Sequence, residues 1–248
     1  MNIKLYALCF FVSFFASCKK ENALDCFTST GKTVSEIRNT GTFSRIILNN
    51  KINLTVFKGS EFKVELIAGQ HILKNISTKV TNDVLSIDDN NTCNFVRGYK
   101  HEINVKITVP HVNLITNAGV GTLKLSENFQ QDTIVVRNES SGDSYVFGKF
   151  NQIRTSTHGN GDMFVNGETN DLYVYSNGTN FVRTEHLKVR NYVFVESLTI
   201  GDCYLNVEGT KLFEYNIRSS GNIYYTGQSQ SQINIGVGTK GGKAIKLN

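Results

Sequence analysis

Gly142-Asp143-Ser144-Tyr145-Val146 is followed nineteen residues later by Gly161-Asp162-Met163-Phe164-Val165, and again by Gly201-Asp202-Cys203-Tyr204-Leu205. Looser copies stand around these three: Gly121-Thr-Leu-Lys-Leu125, Gly178-Thr-Asn-Phe-Val182, Gly221-Asn-Ile-Tyr-Tyr225 and Gly242-Lys-Ala-Ile-Lys246. Successive glycines are 17 to 23 residues apart. A period of this size marks stacked copies of one unit, each too small to bury its own apolar face. The second and fourth residues after each glycine are mostly apolar: Leu123/Leu125, Ser144/Val146, Met163/Val165, Asn180/Val182, Cys203/Leu205 and Ile223/Tyr225. Side chains two apart share a strand face, so these pairs should stack inside a parallel solenoid. A second strand per unit reads at Ile134–Val136, Ile153, Leu172–Val174, Leu187–Val189, Phe213–Ile217 and Ile233–Ile235. Glycine with Asp or Asn is expected to supply positive-φ turns at the corners. Seven coils at strand spacing make a stack roughly 30 Å long. The expected fold is all-β: a right-handed parallel β-helix with an N-terminal β-rich portion. A β-sandwich is the alternative, because hairpins can recur at similar intervals.

The rest of the composition agrees. One proline, no tryptophan and 21 glycines, with abundant Asn, Thr, Val, Ile and Tyr, describe a β chain. Alternation is clear in Ile52–Val56, Phe62–Leu66 and Val84–Ile87, the last entered through a turn at Asn82-Asp83. Ile103, Val105, Ile107 and Val109 fall on one face ahead of Pro110. The one helical candidate is Gln70 to Ser77. The formal net charge of +5 is spread over scattered Lys and Arg. No basic patch interleaves with stacking residues, so a nucleic-acid partner is not expected.

Residues 1–17 read as a lipoprotein signal peptide. The apolar run Leu5–Phe15 is shorter than the about 20 residues a spanning helix needs. Phe15-Ala16-Ser17-Cys18 resembles a lipobox, which makes Cys18 the expected lipidation site and its acyl chains the link to a membrane. An ordinary secretory signal or a short membrane anchor is the competing reading. Lys19 follows the cysteine where Asp would favour inner-membrane retention, so resemblance to known sorting rules points to the outer membrane. Residues 18–35 then form an acylated tether, and 36–248 a single solenoid domain with repeats from about 119. Cys9 lies in the signal, and Cys203 alternates with Leu205 as a buried free thiol. Cys26 and Cys93 remain, in an oxidising compartment. They are expected to form a disulfide worth roughly 2–4 kcal/mol; two unpaired thiols is the alternative.

No residue stands out as catalytic. Asp143, Asp162 and Asp202 recur beside the repeat glycines, as the acids of a polysaccharide lyase would. Thr122, Thr179 and Asn222 fill the same slot, so turn residues bonding their own backbone is the better reading. Gly159-Asn-Gly-Asp162 is a single copy of something like a calcium-binding nonapeptide, too little for a metal site. His71, His101, His111, His158 and His186 show no ligand spacing, and no cofactor is expected. One constellation rises above this background. The third residue after five consecutive glycines is aromatic: Tyr145, Phe164, Phe181, Tyr204 and Tyr224. Its parity is opposite to the buried pairs, so the row should face outward as a flat apolar stripe. Such a stripe can meet sugar rings, a partner protein or a second copy. The competing reading is a ladder that the N-terminal sheet covers, or that only steadies the stack.

Phe43-Ser-Arg-Ile-Ile-Leu48, Ile52-Asn-Leu-Thr-Val-Phe-Lys-Gly-Ser60, Ile107-Thr-Val-Pro110 and above all Ser220-Gly-Asn-Ile-Tyr-Tyr-Thr-Gly227 resemble the head GIN domain, also called the "putative auto-transporter adhesin" family. The likeness covers roughly residues 36 to 245. Asp25-Cys26-Phe27 and Asn94-Phe95-Val96-Arg97 resemble a lipoprotein subgroup, which supports the Cys26–Cys93 pairing. The resemblance implies a β-solenoid at the cell surface or in the periplasm. The expected function is a non-enzymatic envelope lipoprotein presenting an adhesin-like surface to glycan or another envelope protein. The alternatives are a carbohydrate-active enzyme such as a polysaccharide lyase, and a structural envelope protein that forms homo-oligomers through the aromatic row.

Overall fold

Short alternating segments joined by tight corners have one way to bury their apolar sides: each lies beside the equivalent segment of the next coil. The computed structural model, which describes residues 29–92, 102–238 and 240–248, shows this arrangement. The N-terminal part comprises β1 (Thr33–Arg38), β2 (Arg45–Leu48), β3 (Asn53–Lys58), β4 (Lys63–Gly69), the helical turn α1 (Gln70–Leu73), β5 (Ile76–Thr81), β6 (Val84–Asp89) and β7 (Asn104–Val109). The coils continue with β8 (Leu114–Asn117), β9 (Leu123–Leu125), β10 (Gln130–Asn138), β11 (Ser144–Thr157), β12 (Met163–Gly178) and β13 (Val182–Thr184). They end with β14 (Leu187–Thr199), β15 (Cys203–Asn206), β16 (Leu212–Ile217), β17 (Ile223–Thr226), β18 (Ser231–Val237) and β19 (Ala244–Lys246).

Two broad faces result. On the first, β6, β2, β8, β10, the C-terminal halves of β11 and β12, then β14, β16 and β18 lie side by side, all parallel. On the second, β7, β3, β9, the N-terminal halves of β11 and β12, then β13, β15, β17 and β19 do the same. About seven turns follow one another from β8 to β19. This parallel register excludes the β-sandwich.

The N-terminal portion belongs to the same stack, which the glycine period alone did not reveal. The β2–β3 rung lies between β6–β7 and β8–β9, so chain order and stacking order differ. The outer rung is closed by antiparallel strands: β5 pairs β6 on the first face, while β4 pairs β7 and β1 pairs β4 on the second. The β5–β6 hairpin turns on Asn82 and Asp83, both at positive φ (50° and 66°), as an Asx-rich two-residue turn requires. The helical candidate contracts to the single turn α1, which buries Ile72 and Leu73.

The core is a set of side-chain columns. Leu54, Leu123, Ser144, Met163, Val182, Cys203 and Ile223 stack in register on the second face, and every one is buried. Ile134, Ile153, Leu172, Val193 and Phe213 do so on the first. Each fully buried aliphatic side chain stabilises the stack by about 1.5–3 kcal/mol. Two expected strand positions shift. Leu187–Val189 continues the narrow side beside Gly167–Thr169, and Val193 takes the column position on the first face. Extra residues in this coil move the register between Thr169 and Asp171. In the last coil Gln232 pairs with Phe213, which leaves Ile233 facing out at 45 % exposure.

The repeat glycines have a different purpose from the one expected. None of Gly121, Gly142, Gly161, Gly201, Gly221 or Gly242 has positive φ. A Cβ at Gly142, Gly161 or Gly221 would lie 2.1, 2.2 or 1.9 Å from the carbonyl oxygen of the glycine one coil before. The coils touch backbone to backbone at this corner, and a side chain has no room. Positive φ serves the next corner instead, at Gly148 (137°) and Gly167 (120°). In the fourth member of the glycine column the residue is Asn180, not Gly178. Its buried amide uses its full capacity. Nδ2 donates to the carbonyls of Gly159 (2.8 Å) and Asn177 (2.6 Å), and Oδ1 accepts from Thr157 Oγ1 (2.7 Å) and Ser176 Oγ (2.8 Å).

Candidate recognition faces

The outward residues of the second face form a row in register: Thr55, Lys124, Tyr145, Phe164, Arg183, Tyr204, Tyr224 and Ile245. The expected parity holds, and Tyr145, Phe164, Tyr204 and Tyr224 stand half-buried along it. Phe181 does not. Because Asn180 fills the glycine column, Phe181 falls two positions short, level with Asp162, and Arg183 takes the slot. The stripe therefore consists of four rings around a central guanidinium. Tyr145 and Phe164 stack with centroids 4.7 Å apart and planes 4° from parallel. Tyr204 and Tyr224 stack at 5.3 Å and 18°. Arg183 lies between the two pairs in register, its guanidinium 4.4 Å from the Tyr204 ring and 5.9 Å from the Phe181 ring, and its Nη1 3.3 Å from Glu185. Phe147 extends the patch sideways, stacked 6.4 Å from Tyr145, with the Lys124 ammonium 5.4 Å from its ring. Partial burial, with Asp143 or Asp202 close by, raises the pKa of Tyr145 and Tyr204, so both hydroxyls stay protonated donors.

The aspartates beside the row are ladder residues. They do not bond their own backbone, as a turn residue would. Asp143 Oδ1 accepts the Asp162 N–H (2.9 Å), Asp162 Oδ1 that of Phe181 (2.8 Å), and Asp202 Oδ1 that of Asn222 (2.8 Å). Asn53 and Asn222 do the same for Thr122 (3.1 Å) and Lys243 (3.0 Å). Each side chain thus satisfies a donor one coil further on, which fixes the spacing of the rings next to it. Desolvation, reinforced by Asp143, raises the Asp162 pKa. Asp162 Oδ1 is committed to this ladder, and among the described residues no group of three or more His, Cys, Asp or Glu is placed to hold a metal.

The first face carries a second aromatic patch that the glycine period did not reveal. Arg154, Tyr173 and Phe194 follow one another in register, and Arg137, Ser156, Tyr175 and Glu196 run parallel two residues on. Arg137, Arg154, Tyr173, Tyr175, Phe194 and Glu196 line a shallow groove of about 330 Å³. The Arg154 guanidinium lies 4.5 Å from the Tyr173 ring. Tyr173 meets Tyr192 edge-on at 5.4 Å, and the Tyr192 hydroxyl donates to Glu214 Oε2. The signal was present in the outward parity of Tyr173, Tyr175 and Phe194. The glycine-led pattern does not include them, because these rings come 12, 14 and 16 residues after the preceding glycines, Gly161 and Gly178.

Cys203 is fully buried and free, with its thiol pushed up to about 12 by desolvation. Cys18, Cys26 and Cys93 lie outside the described residues, as do residues 1–17 and His101. Among the described residues no helix is long and apolar enough to cross a membrane.

The family model described as "putative auto-transporter adhesin, head GIN domain" matches residues 42–229. The chain belongs to this family. The match begins ahead of β2, so the head GIN domain takes in the N-terminal rungs as well as the coils. Solved structures with the same fold include a putative adhesin from Bacteroides fragilis (TM-score 0.69, 17 % identity, covering 87 % of this chain and 97 % of that one). Parabacteroides distasonis supplies a second putative adhesin (0.65, 16 %, 88 % and 98 %). It also supplies a putative lipid binding protein (0.66, 12 %, 89 % and 98 %). At these identities the likeness of this head GIN chain to them is one of fold. No match was found among curated proteins.

Proposed function

We propose that this chain is a non-enzymatic, adhesin-like protein of the cell envelope, held to the outer membrane through acylated Cys18, that recognises glycan with the second face. One observation carries the reading: Tyr145, Phe164, Arg183, Tyr204 and Tyr224 form a fixed, half-exposed row of flat surfaces one strand spacing apart. Rings of this kind give a sugar's apolar face a large contact at little entropic cost, and their protonated hydroxyls add donors. The family description and the adhesin relatives support it. The nearby acids are engaged elsewhere: Asp143, Asp162 and Asp202 in the ladder, Glu185 with Arg183 and Glu168 with Arg190. This weighs against a polysaccharide lyase. The coil interior is filled by the buried aliphatic columns, so a ligand is met on the outside. A Cys26–Cys93 disulfide would fasten the tether to the body.

Glycan-array binding by the protein and by a Tyr145→Ser/Phe164→Ser/Tyr204→Ser variant tests the assignment. Binding is expected to fall at least tenfold while the far-ultraviolet circular dichroism is retained. Unchanged binding in the triple variant would refute it. Self-association also has an observation in its favour. The final coil exposes Ile233 and Ile235 on β18 and Leu247 just after β19, at 45, 54 and 40 %. Light scattering of Ile235→Lys decides: a mass equal to that of the unaltered protein removes this edge as an interface.

A further inference from the structure

We propose that the groove on the first face is a second binding site, taking a sugar that bears a carboxylate. The argument starts from charge. Arg38, Arg183, Arg190 and Arg218 each meet a glutamate, at 2.6, 3.3, 2.5 and 2.9 Å, and Arg45 donates to the Asn82 carbonyl. Of the arginines in the described residues, Arg137 and Arg154 are left with neither a carboxylate nor a main-chain carbonyl among those residues, and both line the same groove. Arg154 is held by its own neighbours: Nε donates to Gln152 Oε1 (2.9 Å) and the guanidinium lies over Tyr173. Arg154 is exposed and its Nη donors make no hydrogen bond among the described residues, which leaves them for the planar fork that suits a carboxylate. The acid on the opposite wall, Glu196, is already paired with Arg218 (2.9 Å) and accepts a hydrogen bond from the Asn216 amide (3.1 Å). The groove is therefore cationic at one end and aromatic in the middle.

Tyr173, Tyr175 and Phe194 offer ring surface for the apolar side of a pyranose. An extended acidic peptide fits less well. The groove lies over β10, β11, β12 and β14, whose backbone groups are paired on both sides by neighbouring strands. A peptide would find no sheet edge to join. A sugar acid needs none.

Calorimetry of the full chain with trigalacturonate against galactotriose, and with sialyllactose against lactose, tests the site. At least one acid is expected to bind about tenfold or more tightly than its neutral partner, as charge-assisted hydrogen bonds imply. The margin should shrink as salt rises. Arg137→Gln/Arg154→Gln should abolish the margin, leave any affinity for the neutral sugars unchanged and retain the melting temperature. Arg154→Lys should keep part of it. Tyr145→Ser/Tyr204→Ser, on the other face, should not change it. The site is thereby separated from the second-face assignment. An equal margin in the double arginine variant, no preference for either acid, or tighter binding of pentaglutamate than of both acids would each overturn the proposal.

Discussion

Gly161→Ala places a methyl group where the coils are in backbone contact. The added carbon would sit 2.2 Å from the Gly142 carbonyl oxygen, 2.7 Å from its carbon and 2.9 Å from the Ser141 carbonyl carbon, where real side chains keep at least 3.0 Å. None of these atoms is the end of a flexible side chain, so the two coils must part locally by about an ångström. Overpacking of this kind costs about 1–3 kcal/mol. Separation also stretches the bonds that close the corner: Gly161 N–H to Ser140 O (3.1 Å) and Asp162 N–H to Asp143 Oδ1 (2.9 Å), each worth about 1 kcal/mol net. Against this, alanine restricts the unfolded chain and returns about 0.4–1 kcal/mol. The net expectation is a loss of about 2–4 kcal/mol. Gly209→Ala is the control: nothing lies within 4 Å there, but φ is +71°, so only the left-handed backbone cost of about 1–2 kcal/mol remains. Urea unfolding followed by circular dichroism gives both midpoints, and amide exchange at Gly142 and Gly161 localises the effect if the stack unfolds in parts. A Gly161→Ala protein as stable as the unaltered one, or more stable than Gly209→Ala, would refute the close-contact explanation of the period.

Asn180→Ala should destabilise the fold by about 3 kcal/mol, since it removes four hydrogen bonds from buried groups, of which Thr157 Oγ1 keeps Ser176 Oγ (3.2 Å) and the Gly159 carbonyl keeps the Thr179 N–H (3.3 Å); urea midpoints check this. Asp162→Asn keeps the acceptor for the Phe181 N–H, as Asn222 does for Lys243. The Asp162 pKa is raised on folding, so the native state holds the extra proton and this residue's contribution falls as pH rises from the unfolded to the folded pKa. The Asp162→Asn variant should therefore have a higher urea midpoint than the unaltered protein at pH 7 and nearly the same one at pH 3. Equal gains at both values would contradict the assigned cause. Cys203 should resist iodoacetamide in the folded protein at pH 8 and react once urea unfolds it, read by mass spectrometry of its peptide; rapid labelling of the folded form would contradict its burial.

The coils were legible because period and parity are both one-dimensional signals. Gly142, Gly161 and Gly201 carry the same five-residue pattern, and inward Met163 and Cys203 alternate with outward Phe164 and Tyr204. What escaped depends on neighbours distant in sequence. The β2–β3 rung sits between strands that follow it in the chain, and nothing local in Ile46 or Leu54 reports that. Gly178 looked like a repeat glycine because spacing alone cannot distinguish a corner from its neighbour two residues on. The buried amide of Asn180, satisfied by four partners, reset the register and exchanged Phe181 for Arg183. The aspartates looked like turn residues because their acceptors reach across coils, to a donor 19 or 20 residues ahead. The groove on the first face was missed for the same reason, since it joins side chains from four strands.

The most direct test of the second-face assignment watches the rings themselves. Two-dimensional NMR of protein carrying labelled tyrosine, titrated with a glycan found to bind on the array, should move the ring signals of Tyr145, Tyr204 and Tyr224 together along one saturation curve, while those of the buried Tyr215 stay still. Saturable binding that leaves all three unmoved would contradict the account.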